Sequence, residues 1–179
     1  MYNSQLNWFA VRVSYSRELA LKEVLDEKHI ENFLPMRHDY ITKNGKRTRK
    51  LVPAIHNLVF IHSTRQCINE LKEELGIKIR IRLLMNRELR SPIIIPDVQM
   101  RNFILVAGTY EEAVLYIDPV ELYLVKGQKV RITDGIFKGV IGEFVRIRHD
   151  RRVVVSIEGV MAVATTYIHP SLVEPIKES

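Results

Sequence analysis

The basic residues between Arg37 and Lys50 point most directly to a chemistry. Six lysines and arginines fall in this stretch against a single acid, Asp39. Asn44-Gly45 predicts a tight hairpin turn between them, so that the charges stand on one exposed tip. Lysine and arginine on an exposed loop contact phosphates without reading base sequence, whereas the alternative is a solvated turn that resists aggregation. The candidate nucleic-acid contacts are Lys43, Lys46, Arg47, Arg49 and Lys50.

Residues that would support catalysis or metal binding are scattered along the chain. The six histidines show no metal-ligand spacing. No nucleophile elbow, P-loop or dinucleotide fingerprint is present in the sequence. We therefore expect no enzyme activity, no metal and no cofactor. An enzyme with an unrecognised site is the rival hypothesis.

Composition favours a cytoplasmic binding protein. The net charge is +6, which indicates a polyanionic partner. No run of about 18 apolar residues predicts a membrane span, and the first residues lack the pattern of a secretory signal. The single cysteine, Cys67, has no partner for an internal disulfide, which fits a reducing compartment. We expect a cytoplasmic protein that has no membrane partner.

The elements that must position these side chains differ between the two halves. The first half predicts the order β-α-β-β-α-β-α, an α+β fold with helices on one face of an antiparallel sheet. Ser16 is the expected N-cap of the first helix, and Gly76 the expected stop of the second. The strand after the basic turn is expected at 57–62. The predicted helices are 17–28, 65–75 and 97–107, and residues 108–120 are the predicted linker.

From residue 121 to 179 the pattern is short strands only, which fits a small closed barrel. Its most informative stretch is Val125–Ile147, in which glycines interrupt alternating apolar strands. This stretch resembles the KOW motif of SH3-like barrels, and that resemblance implies binding of nucleic acid or protein rather than catalysis. The residues that carry it are Lys126, Gly127, Val130, Gly135, Phe137, Gly139 and Gly142.

Both halves together resemble the NusG family of transcription elongation factors, with an NGN domain at 6–107 followed by a KOW barrel at 121–179. The resemblance rests on Trp8–Val11, Phe33–Met36, Gly45–Thr48 and Asn57–Ile61, in the family's order. Within the family the chain is most similar to the specialised UpxY-type antiterminators. The residues that indicate this subfamily are Ser91–Asp97 and Val163–Ile168.

The resemblance implies a set of partners. The NGN domain would present an apolar patch, with Leu58 and Phe60, to the clamp helices of RNA polymerase. These two residues share one strand face by the period of two, although that period fits core residues equally. The basic hairpin, extended by Arg17, would approach DNA at the transcription bubble. The KOW barrel would recruit either the Rho factor or a ribosomal small-subunit protein, and the protein would be a monomer.

The function implied is transcription antitermination: binding to RNA polymerase that suppresses pausing and termination on specific long operons. Two alternatives stay open at this point. One is a general housekeeping elongation factor of the NusG type. The other is a KOW-barrel RNA-binding protein of ribosome assembly.

Overall fold

The computed structural model describes residues 5–118 and 127–177. The chain divides into two compact units, each made of two segments. The first unit comprises Met1–Pro35 and Pro53–Asp97. The second comprises Met36–Val52 and Val98–Ser179.

The first unit contains two helices and a five-stranded antiparallel sheet. The sheet has the order β2-β5-β1-β6, with β9 also paired to β1, and a separate small ladder joins β7 to β8. Strand β1 pairs with β5 from Asn7↔Ser63 to Arg12↔Leu58. The elements are β1 (Asn7–Val13), α1 (Glu18–Glu27), β2 (Asn32–Phe33), β5 (Leu58–Ser63), α2 (Arg65–Leu75), β6 (Ile81–Leu83), β7 (Met85–Asn86), β8 (Ser91–Pro92) and β9 (Ile94–Ile95).

The core of the first unit lies on both faces of β1 and β5. Phe9 and Val11 are buried on one face, and Ala10 is buried on the other. Because neighbouring residues of a strand point to opposite faces, a nearly continuous apolar strand indicates a sheet covered on both sides. The apolar run in β1 therefore reflects its central place in the sheet.

The helix ends confirm one sequence prediction and correct another. Helix α2 has the predicted bounds: the Thr64 hydroxyl accepts a hydrogen bond from the Cys67 amide at 3.1 Å, and Gly76 ends the helix at φ +53°. Ser16 is not the N-cap of α1, since Arg17 takes that position without a side-chain cap. Ser16 instead belongs to a short 3-10 turn, at φ +52°.

The second unit contains one helix, a two-stranded ribbon and a six-stranded antiparallel sheet with the order β10-β14-β13-β12-β11-β15. The ribbon is formed by β3 and β4. The elements are β3 (Met36–Lys43), β4 (Lys46–Pro53), α3 (Asp97–Ala107), β10 (Leu115–Ile117), β11 (Gln128–Ile132), β12 (Ile141–Ile147), β13 (Asp150–Ile157), β14 (Met161–Ala164) and β15 (Val173–Pro175).

The six-stranded sheet also buries both of its faces. Val153 and Val163 are fully buried on one face, while Val154 and Ala164 belong to an apolar cluster on the other. At Gly142 a Cβ would lie 2.3 Å from the carbonyl oxygen of Val154, so no larger residue fits there. This close approach gives a physical reason for one glycine of the segment that resembles a KOW motif.

The predicted fold class is confirmed: the protein is α+β, with antiparallel sheets in both halves. The strand after the basic turn was misplaced, because β4 returns first at Lys46–Pro53 and β5 follows separately at Leu58–Ser63. The segment predicted as a linker contains β10, which pairs with β14. A strand of three residues is too short to show a period. The domain boundaries stay a prediction, since the compact units group the β3–β4 ribbon and α3 with the C-terminal strands.

Candidate nucleic-acid interface

The β3–β4 ribbon projects its basic side chains into solvent. Residues from Asp39 to Lys50 are all exposed, so neither face of the ribbon tip is covered. Asn44 and Gly45 both adopt positive φ, +52° and +74°, as the tightest hairpin turns require. The predicted turn is therefore present, and it places the basic candidates on two solvated strands.

Some charges on the ribbon are neutralised and others are not. Arg49 forms an ion pair with Glu112 at 2.7 Å. The guanidinium of Arg47 lies 4.3 Å from the centre of the Tyr40 ring, a cation–π contact. Among the described residues, Lys43, Lys46 and Lys50 have no acidic partner within salt-bridge distance. These three lysines are available to phosphates, whereas Arg49 must first leave its carboxylate.

One ion pair joins the ribbon to the segment before β10. Arg49 reaches that segment through Glu112, while the charge of Arg37 acts on the phenol of Tyr116 in β10. Burial raises the pKa of Tyr116 to about 12, and the positive charge of Arg37 partly opposes that rise. Arg49 therefore ties the ribbon to a neighbouring segment, while Lys46 and Lys50 on the same strand have no acidic partner among the described residues.

The structure corrects the expected exposure of Leu58 and Phe60. Leu58 is 2% exposed and Phe60 is fully buried. The register explains this, since Phe60 pairs with Ala10 of β1 and with Phe33 of β2 in the interior of the sheet. The two side chains share a face as predicted, but that face offers neither of them to a partner in this structure.

Sequence reasoning missed a cleft at the edge of the first unit. The cleft has a volume of about 590 Å³, and Arg12 and Arg82 line it from directly opposite positions on β1 and β6. Like charges placed opposite each other destabilise a sheet. Tyr15, also in the lining, is 80% exposed. Two cations beside an exposed ring could hold a phosphate and a stacked base.

The exposed position of Tyr15 is built into the backbone. Tyr15 has φ +62°, a conformation that is uncommon for a residue with a bulky side chain. Asn57 holds the turn in place, because its side-chain oxygen accepts from the Ser16 amide at 3.1 Å. The Asn57 amide in turn donates to the carboxylate of Glu18, which is buried. The turn is thus held in its uncommon conformation by a polar network.

The remaining predicted residues lie in separate places. Arg17 is exposed at the N-cap position of α1. In the segment that resembles a KOW motif, Val130 and Phe137 are buried, and Gly135 and Gly139 have φ of +85° and +89°. Gly127 leaves no room for a Cβ, which would lie 2.5 Å from the Phe144 carbonyl oxygen. Lys126 lies outside the described residues.

Arg152 follows the exposed Arg151 in the chain but is itself buried. It is 8% exposed, and one guanidinium nitrogen, Nη1, donates to the carbonyl oxygens of Ala113 and Thr165, each at 2.7 Å. Nη2 donates to Asp150 at 3.1 Å. Arg152 therefore fastens the segment before β10 to the sheet, and it has no exposed charge to offer a ligand.

The described residues contain neither a metal-binding cluster nor a membrane-spanning helix. Within 5–118 and 127–177, no group of three or more histidine, cysteine or acidic side chains is placed to hold a metal ion. None of the three helices in these ranges is both long and apolar enough to cross a bilayer.

Clustered basic side chains on one exposed element are the electrostatic pattern expected of a protein that binds nucleic acid. A family model described as "Transcription termination factor nusG" matches residues 6–104, more than half of the sequence. The chain therefore belongs to the NusG family, whose members are transcription factors that bind RNA polymerase and are not enzymes. A search among curated proteins found no match. The family match ends before the segment that resembles a KOW motif.

Proposed function

We propose that this protein is a specialised NusG-family regulator that binds RNA polymerase and suppresses pausing and termination on particular long operons. The observation that carries the proposal is the β3–β4 ribbon, in which three lysines with no acidic partner among the described residues surround an arginine stacked on Tyr40. A factor that stays bound to the transcribing polymerase lies close to the DNA of the transcription bubble. An exposed row of cations there adds affinity for phosphates without restricting the sequence that is transcribed.

The primary test is capture of core RNA polymerase by the full chain at low ionic strength. We expect capture, and we expect a purified elongation assay with the factor to show shorter pauses and more read-through at terminators. Absence of capture would show that RNA polymerase is not a partner of this protein. Capture without any change in pausing would remove antitermination and leave only a polymerase-bound protein.

Leu58 and Phe60 are the proposed polymerase contacts, but both side chains are buried. Either side chain touches a partner only if the face that holds them becomes exposed on binding. A fluorinated phenylalanine at position 60 would report this by ¹⁹F NMR. We expect its resonance to shift when polymerase is added, whereas the same label at Phe137, buried in the second unit, should not respond. An unchanged resonance at 60 during full capture would exclude Phe60 from the interface.

The DNA contact is tested by charge reversal on the ribbon. Replacing Lys43, Lys46 and Lys50 by glutamate should weaken binding to forked DNA and reduce the slope of log affinity against log salt by about 2–3, because each phosphate contact adds about 0.7–0.9. The matched control reverses three other exposed lysines, Lys72, Lys78 and Lys138. If both triple variants behave alike, only net charge matters and the ribbon is a solvated turn.

Two finer parts of the proposal concern specificity and the third partner. An operon-specific factor should occupy one or a few transcription units in a chromatin profile, whereas a general factor should follow polymerase everywhere. The C-terminal sheet, as a KOW barrel, is proposed to recruit either the Rho factor or a ribosomal small-subunit protein. Capture with each purified protein distinguishes these two partners, and capture of neither would remove this part.

A further inference from the structure

The turn between β12 and β13 carries three arginines whose charges are not neutralised. Arg146 and Arg151 lie directly opposite each other in the β12–β13 register, and Arg148 follows at the turn with φ +58°. All three side chains are exposed. Within the described ranges, none of the three has an acidic partner within salt-bridge distance. We call these three residues the arginine tip.

Two other arginines of this sheet, by contrast, form ion pairs. Arg131, on β11, pairs with Glu174 at 3.5 Å. Asp150, the acid at the turn itself, is taken by the buried Arg152 at 3.1 Å. The arginine tip is therefore left with a surplus of positive charge, although like charges directly opposite each other destabilise a sheet. Because these opposed arginines destabilise the sheet and have no acidic partner within the described residues, we expect a negatively charged ligand to bind them.

An aromatic side chain lies beside the arginine tip. Phe144 shares the face of Arg146, two residues away on β12, and it is half-buried. The guanidinium of Arg151 lies 5.7 Å from the centre of its ring. An acidic protein would need only the charges. Cations together with an accessible ring are the combination that binds single-stranded nucleic acid, because the cations contact phosphates and the ring stacks on a base.

We propose that the arginine tip and Phe144 form a binding site for single-stranded polynucleotide, separate from the β3–β4 ribbon. The site recognises two phosphates and one base without sequence preference. The same chemistry is offered by a nascent RNA and by an unpaired DNA strand, so the test includes both. The proposal does not depend on the polymerase contact, since it is argued from the second unit alone.

The test measures binding of labelled single strands of about 12 nucleotides, a length within the site size of small β-barrels. It uses the full chain with Lys43, Lys46 and Lys50 replaced by glutamate, so that the ribbon does not mask the second site. On that background, adding Arg146→Glu with Arg151→Glu should lower affinity at least tenfold. The slope of log affinity against log salt should fall by about 1.4, from two phosphate contacts at about 0.7 each. The charge-matched control is Lys138→Glu with Lys177→Glu, both at exposed positions.

Phe144→Leu separates stacking from charge. It keeps an apolar side chain at a half-buried position, so the fold should persist, which the amide NMR spectrum verifies. We expect a five- to tenfold loss of affinity with the salt slope unchanged. Tighter binding of the RNA strand would identify a transcript as the ligand, and tighter binding of the DNA strand would identify the unpaired template region; either supports the site.

Three results would overturn the proposal. The first is unchanged affinity and salt slope in the double arginine variant. The second is an equal loss in the lysine control, which would show an effect of net charge alone. The third is arginine-dependent binding of polyglutamate with no binding of single strands, which would reassign the arginine tip to an acidic protein. None of these affects polymerase capture, so the two proposals fail independently.

Discussion

Arg152 offers the sharpest test of how the second unit is held together. Its Nη1 atom satisfies two carbonyl oxygens, those of Ala113 and Thr165, each at 2.7 Å. We predict that Arg152→Met, which keeps the length of the side chain and removes its donors, lowers the free energy of unfolding. The effect should be local to the second unit, because both carbonyls belong to it.

The magnitude follows from the contacts. A hydrogen bond from a charged donor contributes about 1.5–3 kcal/mol, so the two carbonyl bonds amount to about 3–6 kcal/mol. The Nε atom of Arg152 is buried and has no hydrogen-bond partner within the described residues, so its removal returns about 1–3 kcal/mol. Asp150 is half-exposed, so that ion pair adds at most about 1 kcal/mol. The net expectation is a loss of about 2–4 kcal/mol.

The assay is urea unfolding, followed by amide exchange of β10 and of Thr165 so that the second unit is observed directly. A loss of about 3 kcal/mol should move the midpoint down by about 1–3 M. Arg146→Met, at an exposed arginine on the neighbouring strand, should stay within about 0.5 kcal/mol. Arg152→Lys should recover part of the loss, since a single nitrogen makes both carbonyl bonds. If Arg152→Met and Arg146→Met unfold alike, the assignment of Arg152 as a structural residue is wrong.

Three further predictions test other parts of the fold. Gly142→Ala should cost more than about 3 kcal/mol by urea unfolding, because its Cβ would lie 2.3 Å from the Val154 carbonyl oxygen, whereas alanine at Gly45, which has open space, should cost about 1 kcal/mol. Thr64→Ala should lower stability by about 1 kcal/mol through loss of the α2 cap, and Thr64→Ser should restore it. The phenol of Tyr116 has a folded pKa of about 12, above its usual 10, so its contribution to stability is complete below pH 10 and is lost as the pH rises toward 12. In Tyr116→Phe the free energy of unfolding should therefore change less between pH 10 and pH 12.

The sequence predicted elements wherever a local pattern determined them. The end of helix α2 was predicted because Gly76 marks it, and the start at Arg65 also agrees with the structure, where Thr64 caps it. The Asn44-Gly45 turn was predicted because few dipeptides accept two positive φ angles. Strand β10 was missed because its pairing to β14 is a long-range contact that leaves no local pattern. Ser16 was assigned a cap by type alone, while the Asn57 side chain, distant in sequence, holds the turn around it.

The candidate site was harder to predict than the fold, because burial decides the role of a side chain and a single sequence does not report burial. Leu58 and Phe60 were placed on the correct common face, yet that face is covered. Arg12 and Arg82 lie 70 residues apart in the sequence, and only the register of β1 and β6 brings them opposite each other across the cleft.

Arg151 and Arg152 show why arginine content alone cannot locate a binding surface. The two are adjacent in the chain, and strand geometry turns them to opposite faces of the sheet. Arg152 donates hydrogen bonds to two carbonyl oxygens and to Asp150, so its charge is neutralised within the second unit. Arg151 is exposed opposite another arginine and has no acidic partner among the described residues, so its charge is available to a ligand. Because the same residue type stabilises the fold at one position and remains available at the next, a variant that removes either one measures a different property: unfolding for Arg152 and binding for Arg151.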